Sequence, residues 1–212
     1  EGDDGPAVGP GELGEAAIRA LPALGFAGAN VTLPHKETAL ALADTATERA
    51  RRIGAANTLV AQDGAIQAEN TYGFGFLENL RQAAPLWRAE SGPALVLGAG
   101  GAARAVVVAL LEAGAPELRV ANRTQARAEA LAEAVGGAVR VLPWAEAEDA
   151  MAGAATLVNT PSLGMDGQPP LTLRLDAAPP DALATDIVYT PPETPFLRAA
   201  SARGLTVVDG LG

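Results

Sequence analysis

"ALVLGAGGAARAVVVALLEAG", residues 94–114, decides how the second half of the chain folds. Its first four residues are a continuous apolar run, the pattern of a strand covered on both faces. Gly98, Gly100 and Ala103 follow at the G-x-G-x-x-A spacing, between that strand and an apolar helical stretch stopped by Gly114. The first glycine permits a tight turn and the second leaves room for a pyrophosphate against the backbone. The small third residue lets helix and strand pack closely. Exposed N–H groups and the positive end of the helix then hold the phosphates. Glycine-rich turns are common, so the spacing alone is a weak signal; the strand-turn-helix setting makes it a dinucleotide site.

Downstream, strand and helix patterns alternate. "ELRVANRT" (117–124) reads as a strand and "QARAEALAEAVG" (125–136) as a helix. "AVRVLP" (138–143), "ATLVNTP" (155–161) and "LATDIVYTP" (183–191) are further strands, followed by a helix near "TPFLRAASARG" (194–204) and a last strand, "LTVVDG" (205–210). This alternation predicts a doubly wound parallel sheet. At the end of the second strand an NAD-binding fold places an acid for the ribose hydroxyls. Here stand Asn122, Arg123 and Thr124, with Arg127 one turn on. A surface arginine at a helix start is the plain alternative. A guanidinium nevertheless suits a 2′-phosphate, which it grips through two parallel charge-assisted bonds, so NADP is favoured over NAD.

Upstream, "APLWRAESGP" (84–93) contains two prolines and no periodicity, and a domain boundary is placed there: residues 1–86 and 87–212. The opening "EGDDGPAVGPGE" reads as a loop, 13–24 as a helix with Pro22 near its end, and 28–34 as a strand. Helices follow at 35–44 and 45–54, the second with Thr45 or Thr47 as a cap and Gly54 as a stop. "ANTLVAQDGAIQAEN" (56–70) is a hairpin turning on Asp63-Gly64, a type I′ signature, and a helix from Gly73 to Ala83 comes next. The expected fold is therefore α/β with two domains: a Rossmann-type doubly wound parallel sheet that binds NADP, and a smaller α/β domain for substrate.

Composition narrows the function. Of 212 residues 49% are hydrophobic and 19% charged, as in a globular protein with a proper core. A net charge of −10 with 15 basic residues in total argues against nucleic acid, which demands clustered Lys and Arg. There is no cysteine and a single histidine, His35, which rules out disulfides, thiolate sites and a multi-histidine metal centre. No apolar run reaches membrane-spanning length and no leader pattern is visible, so a soluble, cytoplasmic protein with small-molecule partners is expected. In the first domain, Asn30, Thr32 and Lys36 near one strand end join Asn57, Thr58 and Asn70 as short polar groups beside the dinucleotide domain. A lysine near a strand end is more often simply solvated.

"GANVTLPHK", "IGAANTL", "GAGGAARA", "ANRT", "VNTPSLGM", "DIVYTPPETPFL" and "GLG" occur in the order and spacing of shikimate dehydrogenases, and from about Leu21 onward the chain resembles that quinate/shikimate family. The resemblance implies reduction of 3-dehydroshikimate to shikimate with NADPH, in a cleft between two α/β domains of a monomer or homodimer. It implies that Lys36 is the catalytic lysine, that Thr32 and Asn57 hold substrate hydroxyls, and that Tyr189 faces the substrate. Gly98, Ala99, Gly100, Gly101 and Ala102 would cradle the cofactor phosphates. Asn122, Arg123, Thr124 and Arg127 would take the adenosine phosphate, with Thr160, Ile187 and the backbone at Gly210 near the nicotinamide. No metal is expected. The chemistry is consistent: hydride transfer to a ketone builds negative charge on oxygen, which a lysine ammonium stabilises and protonates.

Three departures accompany the resemblance. The family's "NTDG" is "NTYG" here, so Tyr72 stands where the catalytic aspartate is expected. A phenol, with an ordinary pKa of about 10, cannot supply that negative charge at neutral pH. Within residues 1–212 the substrate domain is expected to lack the family's first strand and helix, with their Ser-x-Ser pair for the substrate carboxylate, and the NADP domain to lack the closing helices, with their substrate-touching glutamine. Three functional readings stand at this point. One is an NADP-dependent shikimate dehydrogenase, impaired or not; a second is a non-catalytic NADP-binding relative; the third is a catalyst in which Lys36 lowers the pKa of a working Tyr72. A methylene-tetrahydrofolate dehydrogenase is disfavoured by "NVTLPHK" and "DIVYTP".

Overall fold

Residues 10–32 and 34–211 are described by a computed structural model. The predicted opening loop lies mostly outside those residues. The chain divides into two compact units, 1–71 and 72–212, whereas the sequence boundary was placed within 84–93. The helix spanning 72–83 therefore goes with the second unit.

In the first unit, α1 (Pro10–Ala20) ends ahead of Pro22, which disfavours helical geometry in the residue before it. Then come β1 (Gly28–Asn30), α2 (Lys36–Leu42), β2 (Thr45–Ala46), α3 (Glu48–Ile53), β3 (Thr58–Gln62) and β4 (Ala65–Glu69). The sheet order is β1-β3-β4-β2, antiparallel except for the parallel pair β2–β4. Asp63 and Gly64 both have positive φ, 52° and 79°, as a type I′ turn requires, so the hairpin forms as its sequence specifies. Gly28 lies close against the neighbouring strand: a Cβ there would collide with the Leu59 carbonyl oxygen. The 45–54 segment departs from a single helix. Thr45 and Ala46 pair with Gln67 and Ala68 as β2, and the helix begins only after Thr47, whose Oγ1 accepts from Ala50 N at 3.2 Å. A sheet partner remote in sequence overrides local propensity there. Gly54 closes α3 in the left-handed region, as expected. Ile18, Ala39, Ala56, Leu59, Ile66 and Ala68 form the core.

The second unit opens with α4 (Tyr72–Ala83). It continues through β5 (Ala94–Leu97), α5 (Gly101–Glu112), β6 (Leu118–Ala121), α6 (Gln125–Val135), β7 (Val139–Leu142), β8 (Thr156–Asn159), β9 (Leu183–Asp186), α7 (Pro195–Ala202) and β10 (Thr206–Val208). All six strands run parallel in the order β10-β9-β8-β5-β6-β7. Counted from β5, this is the 3-2-1-4-5-6 arrangement of the dinucleotide-binding fold. Strand order reverses at β5, flanked by β6 and β8, and the crevice beyond their carboxyl ends is where such folds take a ligand. The sheet is covered by a cluster including Leu95, Leu97, Met151, Leu157, Phe196 and Leu197, with Trp144 packed against it. Trp87, from the proline-bounded segment, donates its indole N–H to Thr156 Oγ1 at 2.9 Å and so pins that segment to the sheet. Helix α4 lies on α5 at Gly73, where a Cβ would come within 2.8 Å of the Ala109 Cβ and 3.0 Å of the Ala105 carbonyl oxygen.

Candidate active site

In the first unit, backbone bonds gather the polar residues at one end of the sheet. Val31 N donates to Asn57 O at 2.8 Å, Asn57 N to Glu69 O at 3.1 Å, and Ala56 N to Lys36 O at 2.9 Å. Thr32, Lys36, Asn57 and the 70–71 turn are thereby brought together, with Lys36 the first residue of α2. The turn 32–35 is closed by His35 N to Thr32 O at 3.0 Å, and Thr32 is exposed. The Asn57 amide is held by its neighbours. Its Oδ1 accepts from Thr71 N at 2.9 Å and from Thr58 Oγ1 at 3.1 Å. With the oxygen engaged, the Nδ2 side is the part of the amide available as a donor, apart from a long 3.3 Å bond to Thr71 Oγ1. The second Asn-Thr pair is used differently. Asn70 is buried and donates to Ala55 O at 3.0 Å, which locks the hairpin end.

In the second unit the glycine loop leaves the end of β5 as its spacing implies. Gly98 has φ +102°, and a Cβ there would meet Thr160 Oγ1 and the Pro161 ring, so the loops after β5 and β8 touch at the point of strand reversal. Thr160 is fixed by its own bonds to Leu97 O, 3.0 Å from N and 2.6 Å from Oγ1. Gly100 caps α5, and a Cβ at Gly100 or Gly101 would meet nothing within 4 Å. Gly100 and Gly101 are exposed, so the start of α5 is open beside Ala99. Buried Ala103 seats the helix on the sheet. An anion fits such a terminus. Beyond β6, Asn122 Nδ2 donates to Thr124 O at 2.8 Å and shapes the turn. Arg123 and Arg127 are exposed, and among the described residues neither guanidinium has an ion-pair or hydrogen-bond partner. Two uncommitted cations at this strand end fit a 2′-phosphate.

Tyr72, the first residue of α4, lines a cavity of about 190 Å³ within the second unit, with Gly75, Phe76, Asn79, Thr185, Asp186, Ile187, Asp209 and Gly210. Burial pushes its phenol above the ordinary value. That is opposite to the direction a phenol base activated by a lysine needs. Asn79 Nδ2 holds Asp209 O at 2.7 Å. Gly210 is pressed against Ile187: a Cβ would stand 2.8 Å from the Ile187 carbonyl carbon and oxygen. Tyr189 is 63% exposed on the loop after β9. Among the described residues no group of acids and histidine could hold a metal ion, and no helix is long and apolar enough to cross a membrane. Sequence reasoning missed the hold of Thr71 on Asn57, that of Asn79 on Asp209, and a buried carboxylate, Asp186, at the end of β9. The one available signal for Asp186 is an acid at the end of the β-prone stretch Leu183–Thr185.

A parallel sheet in this strand order, an open glycine-loop helix terminus and a separate α/β unit with a lysine–asparagine–threonine cluster define a dinucleotide-binding enzyme fold of two units. The family models agree in detail: "Shikimate dehydrogenase substrate binding domain" matches residues 7–59 and "Shikimate / quinate 5-dehydrogenase" matches 82–161. A shikimate dehydrogenase (NADP(+)) of Rhodospirillum rubrum is 62% identical over 211 residues, covering 97% of this chain and 74% of its own. The enzyme of that name from Paracoccus denitrificans is 58% identical over 206 residues, covering 97% and 73%. Among solved structures, shikimate 5-dehydrogenase of Thermus thermophilus in complex with NADP(H) and shikimate is 43% identical with a TM-score of 0.80, covering 93% of this chain and 71% of that one. Quinate dehydrogenase of Corynebacterium glutamicum in complex with NAD is 33% identical with a TM-score of 0.85, covering 92% and 71%. The chain belongs to the shikimate dehydrogenase family.

Proposed function

We propose that this chain is an NADP-dependent oxidoreductase that interconverts 3-dehydroshikimate and shikimate. The observation that carries the reading is the pair of unpartnered guanidiniums, Arg123 and Arg127, beside the open helix terminus at Gly100–Gly101. Those residues, with Asn122 and Thr124, bind the adenosine phosphate, while Gly98, Ala99, Gly100, Gly101 and Ala102 receive the pyrophosphate. Thr160, Ile187 and the Gly210 backbone border the nicotinamide. The bound cofactor supplies the hydride. Lys36 holds a proton for the substrate oxygen that gains charge and takes it back in the oxidative direction. Asn57, its oxygen already committed, donates through Nδ2 to a substrate hydroxyl. Thr32 bonds a second hydroxyl, and Tyr189 covers the ring. The protein works in the cytoplasm as a monomer or homodimer, with small molecules alone as ligands.

Tyr72 limits this chemistry. A neutral phenol donates or accepts one hydrogen bond but provides no anion to pair with a lysine. Turnover is therefore expected to be weak, and Tyr72→Asp to raise kcat by about 100-fold, within the range set by positioned acid–base groups. NADP reduction with shikimate, followed in both proteins, tests this. If neither protein turns over while NADP binds, the catalytic reading is wrong. The burial of a phenol at this position favours a second reading, an NADP-binding relative without catalysis. A melting-temperature shift with NADP and none with shikimate supports it.

A further inference from the structure

Asp186 is the one ionisable side chain in the buried class among the described residues. Its Oδ1 accepts from Val188 N at 2.9 Å and from Asn159 Nδ2 at 3.0 Å. Its Oδ2 accepts from Thr194 Oγ1 at 2.8 Å and again from Asn159 Nδ2 at 3.0 Å. Among the described residues no cation enters the network. A buried carboxylate without a countercharge is costly, and an apolar side chain of similar size would serve stability better. What the carboxylate gains is attachment. Asn159 closes β8 and also donates to Leu163 O at 3.2 Å, while Ile187 N donates to Asn159 O at 3.1 Å. Thr194 caps α7, accepting from Leu197 N at 3.3 Å. The loop after β8, which begins at Thr160, and the loop after β9, which carries Ile187 and Tyr189, are thus tied to one acid. Gly210, packed on the Ile187 backbone, cannot keep its place if Ile187 moves.

We propose that Asp186 is a positioning residue for the nicotinamide half of the cofactor site, fastening through Asn159, Val188 and Thr194 the two loops that border the hydride-bearing ring. The inference rests on the cofactor assignment above. It leaves the adenosine half, on the other side of β5, untouched.

The test compares NADPH with adenosine 2′,5′-bisphosphate, which lacks the nicotinamide half, on Asp186→Asn and Thr194→Val. Asp186→Asn keeps the shape and one acceptor. It should bind the bisphosphate within about twofold of the parent and NADPH about tenfold more weakly. Its kcat should fall about 10- to 100-fold, since a displacement of about 1 Å suffices for such a loss. Thr194→Val should shift the NADPH-to-bisphosphate affinity ratio in the same direction by less, and that ratio decides if Asp186→Asn does not fold. An unchanged ratio overturns the proposal, as does an equal loss of both ligands, which marks a merely structural acid. Failure of the parent to oxidise shikimate while it binds NADPH overturns the functional reading alone, because the affinity ratio needs no turnover.

Discussion

In the second unit β5, β8 and β9 are buried along their whole length, whereas in the first unit β4 alternates between buried and open positions and β3 buries only Leu59. The larger sheet is held by apolar volume pressed on both faces. The smaller one leans on directed polar bonds: Asp44 Oδ2 accepts from Ile66 N at 2.7 Å, Thr47 caps α3, and Asn70 locks the hairpin end. Both carry the residues proposed to meet ligand at strand ends. The larger sheet does so on a rigid apolar base, the smaller one on a lattice of short side chains that also orients Asn57.

The contrast can be broken by substitution. Gly28→Ala should have the largest effect, about 4 kcal/mol, because its methyl meets a backbone carbonyl that cannot move without parting β1 from β3. Hydrogen exchange should show β1 and β3 losing protection, and unaltered protection would break the contrast at its strongest point. Leu157→Ala, in the dry centre of β8, should cost about 3 kcal/mol in urea unfolding of the second unit. Asp44→Ala should cost the first unit about 1.5 kcal/mol through loss of a charge-assisted bond. Thr47→Ala should cost about 1 kcal/mol there through loss of the cap.

The smallest effect concerns pH. Burial raises the carboxyl pKa of Asp186 above its usual value, against the lowering by the Val188, Asn159 and Thr194 bonds. A raised folded-state pKa means that the native state holds the proton longer than the unfolded chain. The stability this contributes is full below the unfolded carboxyl pKa and is lost as pH rises through the folded one. Asp186→Asn should flatten the stability profile of the second unit across that acid window. An unchanged slope would show that Asp186 is not its source.

Much of this was readable in advance wherever a backbone demand selects a residue type. Gly98 needs left-handed φ, Asp63-Gly64 needs it twice, and Gly54 needs it to end α3, so these positions announced themselves. The parallel sheet announced itself through strand and helix patterns taken in turn, led by the continuous apolar run 94–97. Other features depend on partners distant in sequence. β2 is two residues long and exists because β4 lies beside it. Helix α4 belongs with α5 because Gly73 admits Ala105 and Ala109, a packing fact with no local pattern. Asp186, Asn159 and Thr194 come from three different elements, and no periodicity links them.

Trp87, hydrogen-bonded to Thr156, and Trp144, packed on the large core, are the only tryptophans of the chain, and both tyrosines, Tyr72 and Tyr189, also fall within 72–212. Ultraviolet emission is therefore an optical label for one half of the molecule. Fluorescence melting follows the six-stranded sheet, while the first unit, whose one aromatic ring outside His35 is Phe26, can unfold unseen. A spectroscopist who excites indole and records one smooth transition will have watched the cofactor half alone.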